Sequence, residues 1–281
     1  MIIKLGLTAD NHRNLARRRA ESDRVHAQML EEWRRREIDF IGFAGDFNEC
    51  GMSDEDVIAN AKYVRECAEI APTFFIDGNH GIPGELNIYD YRVWPLADAN
   101  KIIVEPHAGV HVVETRKGPL AVVGVSFPQK QHLIAALSSF TTCPECGARF
   151  DAPTNKCVKC QYRKPDIPLE DIDRIASEQL RNVFLGLGVK VRELELPTVA
   201  LIHGTVTGSK FSDARPPTTE GMILGLHDIA QIGAAITVIG HIHMPQDWEV
   251  NGRPIIVPGS PYRINHGESE AKSWIYAELE V

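Results

Sequence analysis

Five short apolar runs recur along this chain, and each stops close to a polar side chain able to ligate a metal or carry a proton. Ile2–Leu7 leads to Asp10, Phe40–Phe43 to Asp46, Thr73–Ile76 to Asn79, Thr198–Ile202 to His203 and Ile236–Ile239 to His241. Unbroken runs of this kind suit strands covered on both faces. Between the first three runs the pattern turns helical, over Asn14–Arg36 and over Asp54–Glu69, the latter with Ser53 as its N-cap. Strand–helix alternation predicts an α/β fold whose ligands gather beyond the carboxyl ends of the strands, so these polar residues can share one site. After Lys101 the strands shorten. Val110–Val113, Leu120–Val125, Ile255–Val257 and Trp274–Leu279 are predicted to form a second sheet packed on the first.

One segment breaks the rhythm. From Thr141 to Lys164 the periodicity vanishes while Cys, Pro, Lys and Gly accumulate. It reads as an insertion between a helix at Gln129–Leu137 and another at Leu169–Leu185. The main domain is then 1–138 with 166–281, and the insertion is 139–165.

Composition narrows the class. The 281 residues can bury a large core, and 43% hydrophobic with 24% charged residues is ordinary for a soluble enzyme. No stretch approaches the ~18–20 apolar residues of a membrane span. Met1–Leu7 lacks a basic lead and a cleavage site, so it reads as a buried first strand, not a signal peptide, and a cytoplasmic location is expected. A net charge of −8 argues against coating nucleic acid through global positive charge, yet leaves room for a local basic groove.

The chemistry lies in five motifs: Asp10-Asn11-His12, Gly45-Asp46, Gly78-Asn79-His80, His203-Gly204 and Gly240-His241-Ile242-His243. Two cations about 3.5–4 Å apart can clamp the attacking and leaving oxygens of a phosphate ester. Such a site needs a bridging carboxylate, imidazoles and a carbonyl-type oxygen, and glycines beside the ligands let backbone pass close.

The order of these motifs resembles the calcineurin-like metallophosphoesterase superfamily. Within it, Gly240–Gln246 (GHIHMPQ) and Pro258–Glu268 (PGSPYRINHGE) are similar to the SbcD/Mre-eleven DNA nucleases. The resemblance implies a sandwich of two mixed β-sheets flanked by helices. It implies that Asp10, His12 and His243 bind one metal, that Asp46 bridges, and that Asn79, His203 and His241 complete a second site. His80 would face the scissile phosphate and protonate the leaving oxygen, with a metal-bound hydroxide as nucleophile. Two divalent cations, usually manganese, DNA as substrate in repair and recombination, and an SbcC or Rad-fifty-type ATPase partner also follow from it. Three positions depart from the pattern. Gly81 stands where the family carries an acid that orients the catalytic imidazole, with Asp77 and Glu85 as replacements. His266 replaces a phenylalanine and reads as a surface change, and the sequence ends at Val281, before the stretch in which the resemblance would place a capping domain and ATPase-binding helices.

Cys143, Cys146, Cys157 and Cys160 form two C-x-x-C knuckles ten residues apart, the spacing of a tetrahedral structural zinc site; a disulfide pair is the alternative. Lys156, Lys159, Arg163 and Lys164 make this ribbon basic, so it suits a DNA contact, a lid or a homodimer contact. Cys50 and Cys67 read as isolated thiols. Arg13, Arg17, Arg18, Arg19 and Arg24 follow the first motif with Glu21 and Asp23 among them. They form either a solvated helix face or a set of phosphate contacts. His26, His107, His111, His132 and His227 read as structural. The expected activity is two-metal hydrolysis of DNA phosphodiesters by an exo- or endonuclease. Its rivals are a small-molecule phosphodiesterase or phosphatase on the same fold, and a nucleic-acid-binding protein with a weak site.

Overall fold

The computed structural model describes residues 1–13, 18–49, 52–80, 101–128, 143, 145–148, 150–151, 156–162, 169–211 and 222–280. Strands β1 (Ile2–Thr8), β2 (Phe40–Phe43), β3 (Thr73–Ile76) and β4 (Ile102–Glu105) run parallel side by side. The first sheet is completed by β15 (Ile275–Glu280), antiparallel to β1, in the order β15-β1-β2-β3-β4. Helix α1 (Arg19–Arg36) links β1 to β2, and α2 (Asp54–Ile70) links β2 to β3. The expected start of α1 at Asn14 falls outside the described residues. Its end is set at Glu37, whose left-handed φ of 55° breaks the helix. Ser53 caps α2 as its sequence predicts, in a reciprocal capping box with Asp56 that contributes about 1 kcal/mol.

The second sheet has the order β13-β14-β12-β9-β6-β5. Its strands are β5 (Ala108–Thr115), β6 (Gly118–Val125), β9 (Thr198–His203), β12 (Ile236–Gly240), β13 (Gln246–Val250) and β14 (Arg253–Val257). The central β6, β9, β12 and β14 are parallel, and β5 and β13 close the edges antiparallel. Helices α3 (Leu169–Leu194) and α4 (Leu226–Ala230) cover its outer face. Two short ladders complete the set: β7 (Phe150–Asp151) with β8 (Lys156–Cys157), and β10 (Thr205–Val206) with β11 (Ile223–Leu224).

One strand falls on the other sheet from the one its sequence suggested. Trp274–Leu279 was expected in the second sheet, but β15 borders β1. Its alternation explains the choice. Ile275, Ala277 and Leu279 face the core between the sheets, while Trp274 and Tyr276 pack on the α1–α2 side.

Period-two side-chain alternation divides the interior into three cores. Between the sheets, Leu5, Leu7, Phe40 and Phe74 meet Val122, Val199, Leu201 and Val238. Ile41, Phe43 and Phe75 point the other way, onto Trp33 and Met29 of α1 and Tyr63 of α2. Gly6 shares that face because a Cβ there would lie 2.8 Å from Trp33 Nε1. On the far side Phe184 and Leu180 of α3 pack on Ile202 and Ile239. The layers therefore run helix, sheet, sheet, helix. No described helix is long and apolar enough to cross a membrane.

Candidate metal centre

The loops leaving β1 and β2 lie side by side. Asp10 N–H donates to Gly45 O (3.2 Å), His12 N–H to Asp46 O (2.9 Å) and Arg13 N–H to Phe47 O (2.9 Å). To turn this sharply, four proposed ligands adopt positive φ: Asp10 51°, His12 37°, Asp46 46° and His241 94°. Such conformations cost of order 1–3 kcal/mol each and persist where surrounding contacts enforce them. Two glycines are there for the same reason. A Cβ on Gly78 would overlap the Asp46 carboxylate and backbone, and one on Gly45 would overlap the His203 ring.

The loops bring all seven predicted ligands together, six of them buried and Asn79 half-buried. Asp10, His12 and His243 form one group of mutually close ligand atoms, and Asp46, His203 and His241 a second. Asp46 Oδ2 lies 3.8 Å from His12 Nε2 and 3.3 Å from His203 Nε2, so it stands between the groups as a bridge must. Asn79 Oδ1 completes the second group, 3.0 Å from His203 Nε2 and 2.9 Å from His241 Nδ1.

Donor and acceptor roles test whether cations fit. His12 Nδ1 lies 2.9 Å from Glu49 Oε2, and His243 Nδ1 lies 3.1 Å from Glu268 Oε1. A carboxylate only accepts, so both Nδ1 atoms carry the hydrogen. Burial pushes His12 down, which keeps its ring neutral. Its Nε2 lone pair then faces His243 Nε2 at 3.1 Å, where one cation can be ligated by both nitrogens. The second group repeats the logic. His203 Nδ1 donates to Ala44 O (2.9 Å), leaving Nε2 turned toward the acceptors Asn79 Oδ1 and Asp46 Oδ2. Burial opposes a charged His203, yet the Asp46 and Asp10 carboxylates raise it to about 9. Burial also raises Asp10, with the neighbouring Asp46 charge adding to it. The donor set thus calls for positive charge at both points, and two divalent cations fit it.

His80 stands at the half-buried edge of this cluster. Its N–H donates to Asp46 Oδ1 (2.9 Å), and its Nδ1 donates to Glu49 Oε1 (2.8 Å). The acid expected after His80 is therefore supplied from β2's loop, three residues past Asp46. Glu85, one of the two expected replacements, lies outside the described residues. The signal in the sequence was the Gly45-Asp46-Phe47-Asn48-Glu49 run itself, which places a second carboxylate on the same turn.

The arginines divide. Arg13 is buried, its Nε donating to Asn60 Oδ1 (2.9 Å) and its guanidinium 4.3 Å over the Tyr63 ring. It serves packing, not an external phosphate. Arg19 is paired with Asp56 of α2. Arg18 bonds Glu21 at 3.0 Å and reaches His266 Nδ1 at 3.1 Å, which ties the start of α1 to the segment after β14. Arg17 lies outside the described residues. His26, read as structural, accepts from Asn11 Nδ2 (3.0 Å) while its Nδ1 donates to Ser22 O (2.7 Å), bracing the first motif from below.

The four clustered thiols also converge. Cys143 and Cys160 sulfurs are 3.5 Å apart, as are those of Cys146 and Cys157, and the four form a single ligand group. Each knuckle closes through a backbone bond, Gly147 N–H to Cys143 O (2.8 Å) and Gln161 N–H to Cys157 O (3.2 Å), with left-handed φ at Gly147 and Gln161. Backbone N–H groups of Cys160 and Lys159 point at Cys157 Sγ and bring that thiol down to about 6. This is a preformed cradle of four cysteine sulfurs, and none of these cysteines is in a disulfide.

No protein-family model matches the chain, and no curated protein does. Solved structures resemble it in architecture. GAP50, the anchor in the inner membrane complex of Plasmodium, is 11% identical with a TM-score of 0.49, covering 99% of this chain and 81% of that one. A dimetal phosphatase from Danio rerio is 12% identical with a TM-score of 0.47, covering 92% and 87%. The phosphopantetheinyl hydrolase of Mycobacterium tuberculosis is 14% identical with a TM-score of 0.42, covering 94% and 93%. At these distances the likeness concerns the course of the chain, and the chemistry rests on the side chains described above.

Proposed function

We propose that this chain is a two-metal phosphoesterase whose substrate is the phosphodiester backbone of DNA. The observation that carries the enzymatic reading is the shared carboxylate of Asp46, set between two facing ligand groups with His80 beside them. When bound, two divalent cations, manganese by resemblance, would polarise the phosphate and supply an activated water. Asp10, His12 and His243 would hold one and Asn79, His203 and His241 the other. Glu49 accepts from His80 Nδ1 and so orients the ring, as a proton donor to the leaving oxygen requires. A zinc ion in the four-cysteine cradle completes the proposal, as a closed structural site.

DNA is supported by the likeness of Gly240–Gln246 and Pro258–Glu268 to nucleases. A small phosphate ester is the second reading. What favours it is the commitment of Arg13 and Arg19 to contacts within the protein. One assay separates the two: manganese-loaded protein on duplex and single-stranded DNA, beside a small activated phosphodiester and a cyclic nucleotide. Cleavage of DNA that weakens more than the small-ester reaction in Arg17→Ala/Arg18→Ala, with a flatter salt dependence, supports the nuclease reading. Efficient turnover of the small esters with intact DNA moves the protein to the second.

A further inference from the structure

The Pro258–Glu268 segment lies behind the first ligand group and holds it from two sides. Tyr262, buried, donates its hydroxyl to the backbone carbonyl of His12 at 2.7 Å. Glu268, also buried, accepts from His243 Nδ1 through Oε1. Its other oxygen is itself pinned, by Ile264 N–H at 3.0 Å and by Lys272 Nζ at 2.7 Å. Lys272 in turn reaches Glu270 Oε1 (3.1 Å), Ser260 Oγ (3.0 Å) and His243 O (3.5 Å). The carboxylate that orients His243 is thus fixed at both ends.

The two ligand groups differ in this support. Both imidazoles of the first group donate to a carboxylate, Glu49 for His12 and Glu268 for His243. In the second group one of the two imidazoles, His203, donates instead to the neutral carbonyl of Ala44, so at most one there has a carboxylate behind it. A carboxylate behind a ligand imidazole fixes its tautomer and raises its basicity, and losing one costs ~10–100-fold in metal affinity.

We propose that residues 258–272 are a clamp on the Asp10–His12–His243 site, with Glu268 the positioning residue for His243, and that the clamp makes this the tighter of the two cation sites. The inference rests on the two-metal reading above.

Calorimetric titration of the metal-stripped protein with Mn²⁺, with thermal melting at each metal concentration, tests it. Wild-type protein should show two steps of unequal affinity. Glu268→Gln should weaken the tighter step ~10–100-fold and shrink the first Mn²⁺-induced rise in Tm, leaving the weaker step in place. Glu268→Gln/Lys272→Met, which leaves no unpaired buried ammonium, should do the same. Asn79→Ala should weaken the other step. Two equal steps in the wild type, or a tighter step unchanged in both Glu268 variants, would overturn the clamp while leaving the enzyme reading intact. So would an equal loss on both steps in the double variant, which would mean that Glu268 acts through the fold. Wild-type protein that binds no Mn²⁺ would overturn both readings.

Discussion

Glu49 and His80 form a hydrogen-bonded pair, Oε1 to Nδ1 at 2.8 Å, that ties the loop after β2 to the loop after β3. The other oxygen of the same carboxylate holds His12. One residue thus holds both His12, a candidate metal ligand, and His80, the proposed proton donor. Bonds from these two imidazoles outweigh burial and hold Glu49 well below the usual carboxylate range. Glu49→Gln is expected to reduce Mn²⁺ affinity ~10–100-fold and also to lower kcat at saturating metal. His80→Ala should keep its metals and lose ~10²–10⁴ in turnover of a substrate with a poor leaving group. A Glu49→Gln enzyme restored to full kcat by added metal would limit Glu49 to its role behind His12.

Asp46 is the only carboxylate placed within 4 Å of an imidazole from each ligand group among the described residues. Asp46→Ala should therefore weaken both cations, where Asn79→Ala weakens one. Metal content after equilibrium dialysis reads this directly. Two equivalents retained at unchanged affinity would sink the bridge.

The cysteine cradle should retain one zinc through dialysis that strips the catalytic cations. Cys143→Ser or Cys160→Ser should release it and expose 141–164 to protease, with the two sheets still folded, because metal replaces a hydrophobic core in so small a segment. Freshly reduced protein that carries no zinc and has four freely reactive thiols would contradict the assignment.

His26 gives the protein a predictable acid sensitivity. Burial, with Arg13 adding to it, takes its imidazole down to about 3 in the folded protein. The ordinary value is ~6.5, so between these limits the unfolded chain binds the extra proton and stability falls as pH falls. The slope from this one group reaches about 1.4 kcal/mol per pH unit. Denaturant unfolding of wild type and His26→Gln at pH 7, 6 and 5 should show the wild type losing more stability across the series. Parallel curves would show that His26 is not held neutral.

Much of this was legible because ligands sit where strands stop. Apolar runs located β1, β2, β3, β9 and β12, and the residues after them gave the seven side chains that converge at the candidate metal centre, whose order carried the resemblance. Ser53 and its capping box were equally local. What was hidden depended on long-range contact. Glu49 touches His80 across 31 positions and Glu268 touches His243 across 25, with no periodicity linking either pair. Arg13 was indistinguishable from Arg18 in a charged run until Tyr63 and Asn60 of α2 enclosed it. The partner of β15 was hidden too, since a strand with one solvent-facing edge reads alike on either sheet.

The pairing of β15 with β1 has a consequence for synthesis on the ribosome. His12 and His243 are separated by 231 residues, which at ~5–20 residues per second amounts to tens of seconds. Throughout that interval β1 can pair with β2, yet its other edge, Ile2 to Leu7, awaits β15. A nascent or truncated chain therefore presents a bare, apolar strand edge beside half of a metal site, the kind of surface that chaperones cover and that neighbouring copies join. Shortening this protein by its last strand would leave every ligand in the sequence and still yield an aggregating product.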